Sequence, residues 1–275
     1  MPPTEGTAPS RRDARALLAL ACQAAEAAAE VIRAAEPRRA NLDWREKSPV
    51  DFVTEVDVLA EARAIEVLSA AEPNAMFLGE ESASAAPSPL PPALRFVIDP
   101  LDGTTNFLHG LPEYAVSIGV EVDGVLTAGV VLHVPRNECF TAALGAGAWL
   151  GNTRLRVSNA ASPQRALMGT GFPFKRPEDI PQYIGQISRV MAGTSGVRRA
   201  GSASVDLTSV ASGRLDGFWE TYLSPWDVAA GILMIREAGG VCTDAEGRDS
   251  QVTFGSVVAG NAVMHRWLLD QLQDG

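Results

Sequence analysis

Apolar residues along this chain change their spacing several times, and each change predicts an element. From residues 12 to 35 they recur at helical spacing in an alanine-rich run, which predicts a first helix ending before Glu36-Pro37-Arg38-Arg39. A second helix is expected from about Thr54 to Ala71, with Val56, Leu59, Ala60, Ile65 and Leu68 as its apolar positions. "AMFLG" and "LRFVID" read as strands, separated by a surface loop, "ESASAAPSPLPPA". "YAVSIGVEVDGVLTAGVVLHV" reads as a hairpin that turns at Asp123-Gly124. "ECFTAALGAGAWLGNTRLRVS" continues as short strands with glycine turns, and "RALMGTGF" is a further strand. Helices are expected near 178–192 and 203–212, and a strand in "RLDGFWETYL". "WDVAAGILMIREAGG" has helical spacing and a Gly-Gly stop, "SVVAGN" is a late strand, and a terminal helix follows.

Helices and hairpins therefore alternate, which predicts an α+β or layered α/β fold. No repeat or flexible linker divides it, so residues 11–275 are expected to form a single domain. Residues 1–10, with three prolines, are expected to be a disordered tail. The start "RRDARALLALACQAA" faintly resembles an export or lipoprotein signal. Its short apolar run is flanked by Asp13, Arg15, Glu26 and Glu30, so the amphipathic helix is the better reading. No apolar run reaches the ~20 residues of a spanning helix, and a cytoplasmic location is expected.

Composition narrows the function. With 33 acidic and 23 basic residues the net charge is −10, the wrong sign for a generic nucleic-acid binder and suited to a protein that gathers cations. Cys22, Cys139 and Cys242 are far apart, as are His109, His133 and His265. The cysteines are expected to be small core hydrophobes, and no clustered zinc site is expected.

The informative stretch is "VIDPLDGTTNFLHG", in which a buried-looking strand runs into two aspartates, Asp99 and Asp102. An acidic turn is the ordinary reading of such a pair. Glu80, at the end of another strand, and Asp227, at the start of a helix, raise a second one. Asp227 alone could simply favour its helix N-terminus, and Thr54 and Asp57 have the spacing of a capping box. If Glu80, Asp99, Asp102 and Asp227 converge, each like-charge pair at ~4 Å costs roughly 4 kcal/mol at an effective dielectric of ~20. Such a cluster needs cations or protons, and an all-oxygen donor set selects Mg²⁺ or a similar hard ion. Gly103-Thr104-Thr105 could open a helix whose free amides bind phosphate. Carboxylates for metal beside amides for phosphate point to phosphoryl chemistry.

Here the chain resembles the inositol monophosphatase family. "DPLDGTTNF" and "WDVAAGILMIREAGG" match its two signatures, and "DFVTEVD", "GEES", "GFPF" and "GSASVDLTSVASGRLDGFWE" follow in the family's order. The resemblance covers roughly residues 45–262 and is strongest to the bacterial branch of these Mg²⁺-dependent, lithium-sensitive sugar phosphatases. It implies an α-β-α-β-α sandwich, usually a homodimer, with two or three Mg²⁺ ions per site. By position, Glu80, Asp99 and the Leu101 carbonyl match the first metal site. Asp99, Asp102 and Asp227 match the second, and a third ion would lean on Glu80. Asp57 and Thr104 match the pair that orients and deprotonates the attacking water, and Glu80 is placed with them among the catalytic residues. Gly103 and Thr104 match the phosphate cradle. Ser202, Ala203 and Glu220, together with Asp227 and Arg198, match positions facing the substrate. Lys47 lies one residue closer to "DFVTEVD" than the loop lysine of the animal enzymes. The implied activity is hydrolysis of inositol 1-phosphate or a related polyol or sugar monophosphate. Histidinol-phosphate, fructose-1,6-bisphosphate and nucleotide 3'-phosphate hydrolysis, or a regulatory role bound to transcription machinery, remain alternatives.

Overall fold

The computed structural model describes residues 11–48, 51–82, 93–174, 176–249 and 252–273. The tail expected at residues 1–10, most of the loop at 81–93 and the side chain of Lys47 lie outside them.

Helix α1, Arg11–Ala35, buries one stripe of small residues, Ala21, Ala24, Ala25, Ala28, Ala29 and Ile32. Its end comes where a 3₁₀ turn containing Pro37 begins, as the sequence predicts. Helix α2, Glu55–Ala71, buries Val56, Ala60, Ala64 and Leu68 at strict four-residue spacing. Leu59 falls off that stripe and is 49% exposed. These two helices pack against each other and cover one face of a large sheet.

Among the described residues that sheet has seven strands in chain order: β3 Met76–Gly79, β4 Leu94–Asp102, β5 Ala115–Val122, β6 Val125–His133, β7 Glu138–Ala143, β8 Gly147–Leu150 and β9 Thr153–Arg154. Only β3 and β4 pair in parallel; the remainder is an antiparallel meander. The β5–β6 turn takes positive φ at both Asp123 (50°) and Gly124 (78°), which the Asp-Gly pair tolerates. A short helix, α3, Thr104–His109, follows β4.

A second sheet has the order β11-β10-β12-β14-β13, from β10 Leu167–Thr170, β11 Gly196–Arg198, β12 Gly217–Leu223, β13 Val241–Thr243 and β14 Gly255–Gly260. Helices α4, Ile180–Gly193, and α7, Ala262–Leu272, cover its outer face. Helices α5, Ala203–Ala211, and α6, Pro225–Glu237, fill the space between the two sheets. The result is five layers, α-β-α-β-α.

Helix α6 is buried nearly all round, and its small residues explain how it fits. Gly119 and Gly129 are cross-strand partners on β5 and β6. A Cβ on Gly119 would stand 2.5 Å from Ala229 Cβ, and one on Gly129 3.0 Å from Ala230 Cα. On the other side, a Cβ at Gly231 would meet Leu207 of α5 at 2.5 Å. The run Val228-Ala229-Ala230-Gly231 thus lets a helix lie between a sheet and a second helix, and fixes where its first turn, carrying Asp227, emerges. Four short strands have no counterpart in the sequence reading: β11, β13 and the two of a small hairpin, β1 Arg45–Ser48 with β2 Asp51–Val53. They are three or four residues long, too short to establish a period.

Candidate active site

Two residues three apart on a regular strand face opposite sides of the sheet. Asp99 and Asp102 nevertheless line the same cavity. The reason is a bulge: Asp99 pairs with Ser117 and Asp102 with Ala115, so the β4 side carries one residue more than β5. The inserted residue restores the two carboxylates to one side and brings Leu101 to the cavity as well. Glu80 joins them because β3 runs parallel to β4 and continues its pairing one step further, Glu80 N donating to Ile98 O (3.1 Å). Asp227 arrives on the first turn of α6, which packs on the same face of the sheet: Ser117, the strand partner of Asp99, donates to Trp226 O (3.3 Å). There it completes a capping box, with Ser224 N donating to Asp227 Oδ2 (2.7 Å). The helix-start reading of Asp227 and its placement at the cavity therefore both hold.

The electrostatics follow from this crowding. Asp99 is 1% exposed, and its carboxyl pKa is pushed well above the ordinary value, first by burial and then by Glu80, Asp102 and Asp227. Leu101 N, donating to Asp99 Oδ1 at 3.1 Å, opposes this. Burial also raises the pKa of Asp102, against three hydrogen bonds that converge on its Oδ2: Ser204 Oγ (2.5 Å), Ser202 Oγ (2.7 Å) and Ser204 N (2.7 Å). Among the described residues, no three His, Cys, Asp or Glu side chains are gathered tightly enough to clasp a metal as they stand. The carboxylates are nonetheless close enough to repel one another, and every donor is a hard oxygen. That chemistry fits a divalent cation of the Mg²⁺ type.

Thr104 is the first residue of α3, and the cap position belongs to Gly103, at φ 96°. A Cβ there would also stand 2.8 Å from Glu113 O, so the turn requires glycine. Thr104 Oγ1 lies 2.9 Å from Asp57 Oδ1 and 3.1 Å from Leu101 O, and can donate to either. The other oxygen of Asp57, Oδ2, accepts from Thr54 N (2.8 Å) and Thr54 Oγ1 (2.6 Å). The capping box expected from the spacing exists, and it uses one carboxylate oxygen while the site uses the other. Burial raises the Asp57 pKa, and the Thr54 and Thr104 hydrogen bonds partly restore it.

The cavity holds about 470 Å³ and is closed on its far side by the second sheet. Glu220 of β12 reaches in, with its carboxyl pKa raised well above normal by burial and by Asp206, Asp227 and Asp102, and lowered again by Arg199. It does so across Gly171: a Cβ there would fall 1.9 Å from Glu220 Cδ. Phe172, Phe174 and Tyr222 complete this wall, and the Arg199 guanidinium lies 5.5 Å and 5.3 Å from the ring centres of Phe172 and Phe174.

Of the residues expected to face substrate, Gly103, Thr104, Glu220 and Asp227 line this cavity. Arg198, Ser202 and Ala203 do not. Arg198 lines a neighbouring depression beside α4 and donates to Val197 O; Arg199, the next residue, is the one that reaches the site. Ser202 is 2% exposed and spends its hydroxyl on Asp102, while Ala203 packs into the core between the sheets. The phenylalanines and Arg199 are missed by the sequence reading, although "GFPF" signals them as two aromatics beside a strand end.

A family model described as the inositol monophosphatase family matches residues 13–275. The chain belongs to the inositol monophosphatase family. It is 43% identical to an inositol-1-monophosphatase of Rhizobium meliloti, over 85% of this chain and 87% of that protein. It is also 43% identical to a Nus factor SuhB of Pseudomonas aeruginosa, over 94% of this chain and 96% of that protein. The crystal structure of extragenic suppressor protein suhB from Bartonella henselae superposes with a TM-score of 0.89 at 41% identity, covering 94% of this chain and 99% of that one. Membership makes the chain a phosphoric monoester hydrolase of a family that generally uses Mg²⁺. Among the described residues, no helix is long and apolar enough to cross a membrane.

Proposed function

We propose that this phosphatase hydrolyses inositol 1-phosphate or a closely related polyol or sugar monophosphate. The observation that carries the reading is the opposition of two walls in one cavity: Asp99, Asp102, Gly103 and Thr104 on one, Glu220 on the other. Glu80, Asp99, the Leu101 carbonyl, Asp102 and Asp227 would hold two or three Mg²⁺ ions. When bound, these would neutralise the phosphate and act as Lewis acids. Thr104 orients the attacking water by accepting its hydrogen while donating its own to Asp57. Asp57, held by Thr54, takes up the proton as the water oxygen bonds to phosphorus and the ester P–O bond breaks; the leaving oxygen gains a proton from solvent water, and Asp57 returns its own to solvent. Glu220 accepts hydrogen bonds from hydroxyls of the departing alcohol.

The same proposal makes the enzyme a cytoplasmic homodimer, a setting in which three cysteines without a disulfide are ordinary. The test is a panel of phosphate esters compared by kcat/KM with Mg²⁺ present. Inositol 1-phosphate is expected to exceed fructose 1,6-bisphosphate, 3'-phosphoadenosine phosphate and histidinol phosphate. A higher value on any of these three overturns the substrate assignment. A second reading is favoured by the name Nus factor SuhB of the P. aeruginosa relative: the chain would bind transcription machinery alongside its catalysis. Gel filtration with the organism's transcription elongation proteins tests this, and elution as separate species refutes it.

A further inference from the structure

Cys22 and Cys139, distant in the chain, meet on the face of the seven-stranded sheet away from the active-site helix α6. Strand alternation puts Phe140 and Ala142 of β7 into the core beneath α6, and turns Cys139 to the opposite side, into the cluster formed with α1 and α2. Cys22 stands on the flank of α1 beside Ala21 and Ala25 and packs against that same cluster. Farther along α1, Arg33 donates to Asn137 Oδ1 in the β6–β7 turn (3.1 Å), so the helix is moored along this hairpin. Helix α1 packs against β7, and the two thiols lie within reach of a thiol–thiol hydrogen bond. Both are free and only partly buried, whereas Cys242 is 2% exposed. Cys242 is thus a small residue inside the core, and Cys22 and Cys139 pack at the edge of it.

We propose that Cys22 and Cys139 are a redox-sensitive thiol pair that closes to an intramolecular disulfide when a peroxide or a small-molecule disulfide is present, tying α1 to β7. The S–H donated by Cys22 stabilises a thiolate at Cys139, whose pKa is lowered, while Cys22 keeps its proton. With hydrogen peroxide, the Cys139 thiolate attacks one oxygen, the O–O bond breaks and hydroxide leaves, giving a sulfenic acid. The Cys22 sulfur then attacks the sulfenic sulfur. The S–S bond forms, the S–O bond breaks, and the departing oxygen leaves as water with the Cys22 proton. In total two thiols and one peroxide become one disulfide and two waters. With a small disulfide, thiolate exchange through a mixed disulfide gives the same bond and releases two small thiols.

The test exposes reduced full-length protein to hydrogen peroxide, then unfolds it and alkylates the remaining thiols before intact-mass analysis and non-reducing peptide mapping. The expected result is loss of two of the three thiols, a mass lower by two hydrogens before alkylation, and one linked peptide pair holding Cys22 and Cys139, all reversed by dithiothreitol. Closing so long a loop should raise the thermal midpoint by on the order of 10 °C. Cys22→Ser and Cys139→Ser should each abolish the link, and Cys242→Ser should leave it intact. If a serine variant does not fold, the alanine variants take its place, and the wild-type peptide map stands without either. Three alkylatable thiols after oxidation, a covalent dimer, or a link through Cys242 would each overturn the proposal.

Discussion

Gly171→Ala is a small change whose effect can be worked out from one contact. A Cβ at this position would lie 1.9 Å from both Cδ and Oε1 of Glu220. Non-bonded carbons need about 3.5 Å, so the carboxylate must retreat by roughly 1.5 Å. Glu220 meets the new methyl with the flexible end of its side chain, and Gly171 does not adopt positive φ. The variant should therefore fold, with its thermal midpoint little changed. Catalysis should feel the shift more sharply, since a displacement of about 1 Å in a positioning group can cost ~10²-fold, or about 2.7 kcal/mol. The loss should appear in kcat/KM for inositol 1-phosphate. p-Nitrophenyl phosphate has no hydroxyls to offer Glu220 and should lose far less. In a Glu220→Ala background, the same glycine substitution should be nearly silent, because its target is gone. Equal losses on both substrates, or a full additional loss in the double variant, would refute the assignment of Glu220 to the alcohol.

Thr104→Ala should keep its fold, because Gly103 holds the cap position, yet lose at least ~10²-fold in kcat, with Thr104→Ser recovering much of it. Mg²⁺ should raise the thermal midpoint of the wild type and do so less for Asp227→Asn, a variant that should be almost inactive; calorimetry with and without the ion reads both effects. If Li⁺ competes for the site formed by Asp99, Asp102 and Asp227, millimolar LiCl should inhibit turnover, and an unchanged rate at ~100 mM would count against that site. Burial holds the His265 imidazole below its ordinary value, so the folded state resists a proton that the unfolded chain accepts. Stability should be unaffected by this group above about pH 6.5 and decline as pH falls below it, until the folded-state value is reached. Denaturant titrations across that range should show a shallower decline for His265→Gln.

The acidic half of the site is legible in the sequence because four carboxylates fall at or near strand and helix ends, and no single structural role accounts for all of them. Their convergence is another matter. That Asp99 and Asp102 share a side depends on a bulge, which exists only once β4 is paired with β5. The long helices and the β5–β6 hairpin are readable from period and turn chemistry. The short, polar "REKS" strand is not, because its partner supplies the reason for its conformation. Arg198 and Arg199 present the same difficulty in miniature. A three-residue strand gives no phase from which to decide which side chain points inward: position points to Arg198, while Arg199 lines the cavity. Thr54 and Asp57 illustrate a different limit, since cap and catalytic candidate are read as rivals while the carboxylate has an oxygen for each.

Where each part of the cavity originates has a consequence for how such an enzyme can change over time. Glu80, Asp99, Asp102 and Thr104 come from the seven-stranded sheet and its following helix, whereas Phe172, Arg199, Glu220 and Tyr222 come from the five-stranded one. The two groups are joined chiefly through α6 and α5, whose tight glycine and alanine contacts leave little freedom to vary. If the second sheet faces the alcohol as proposed, a lineage could exchange residues there while the acidic residues of the first sheet stayed as they were. On the proposed role of Glu220, diversification along this seam would yield paralogues that share a reaction and differ in the alcohol they release.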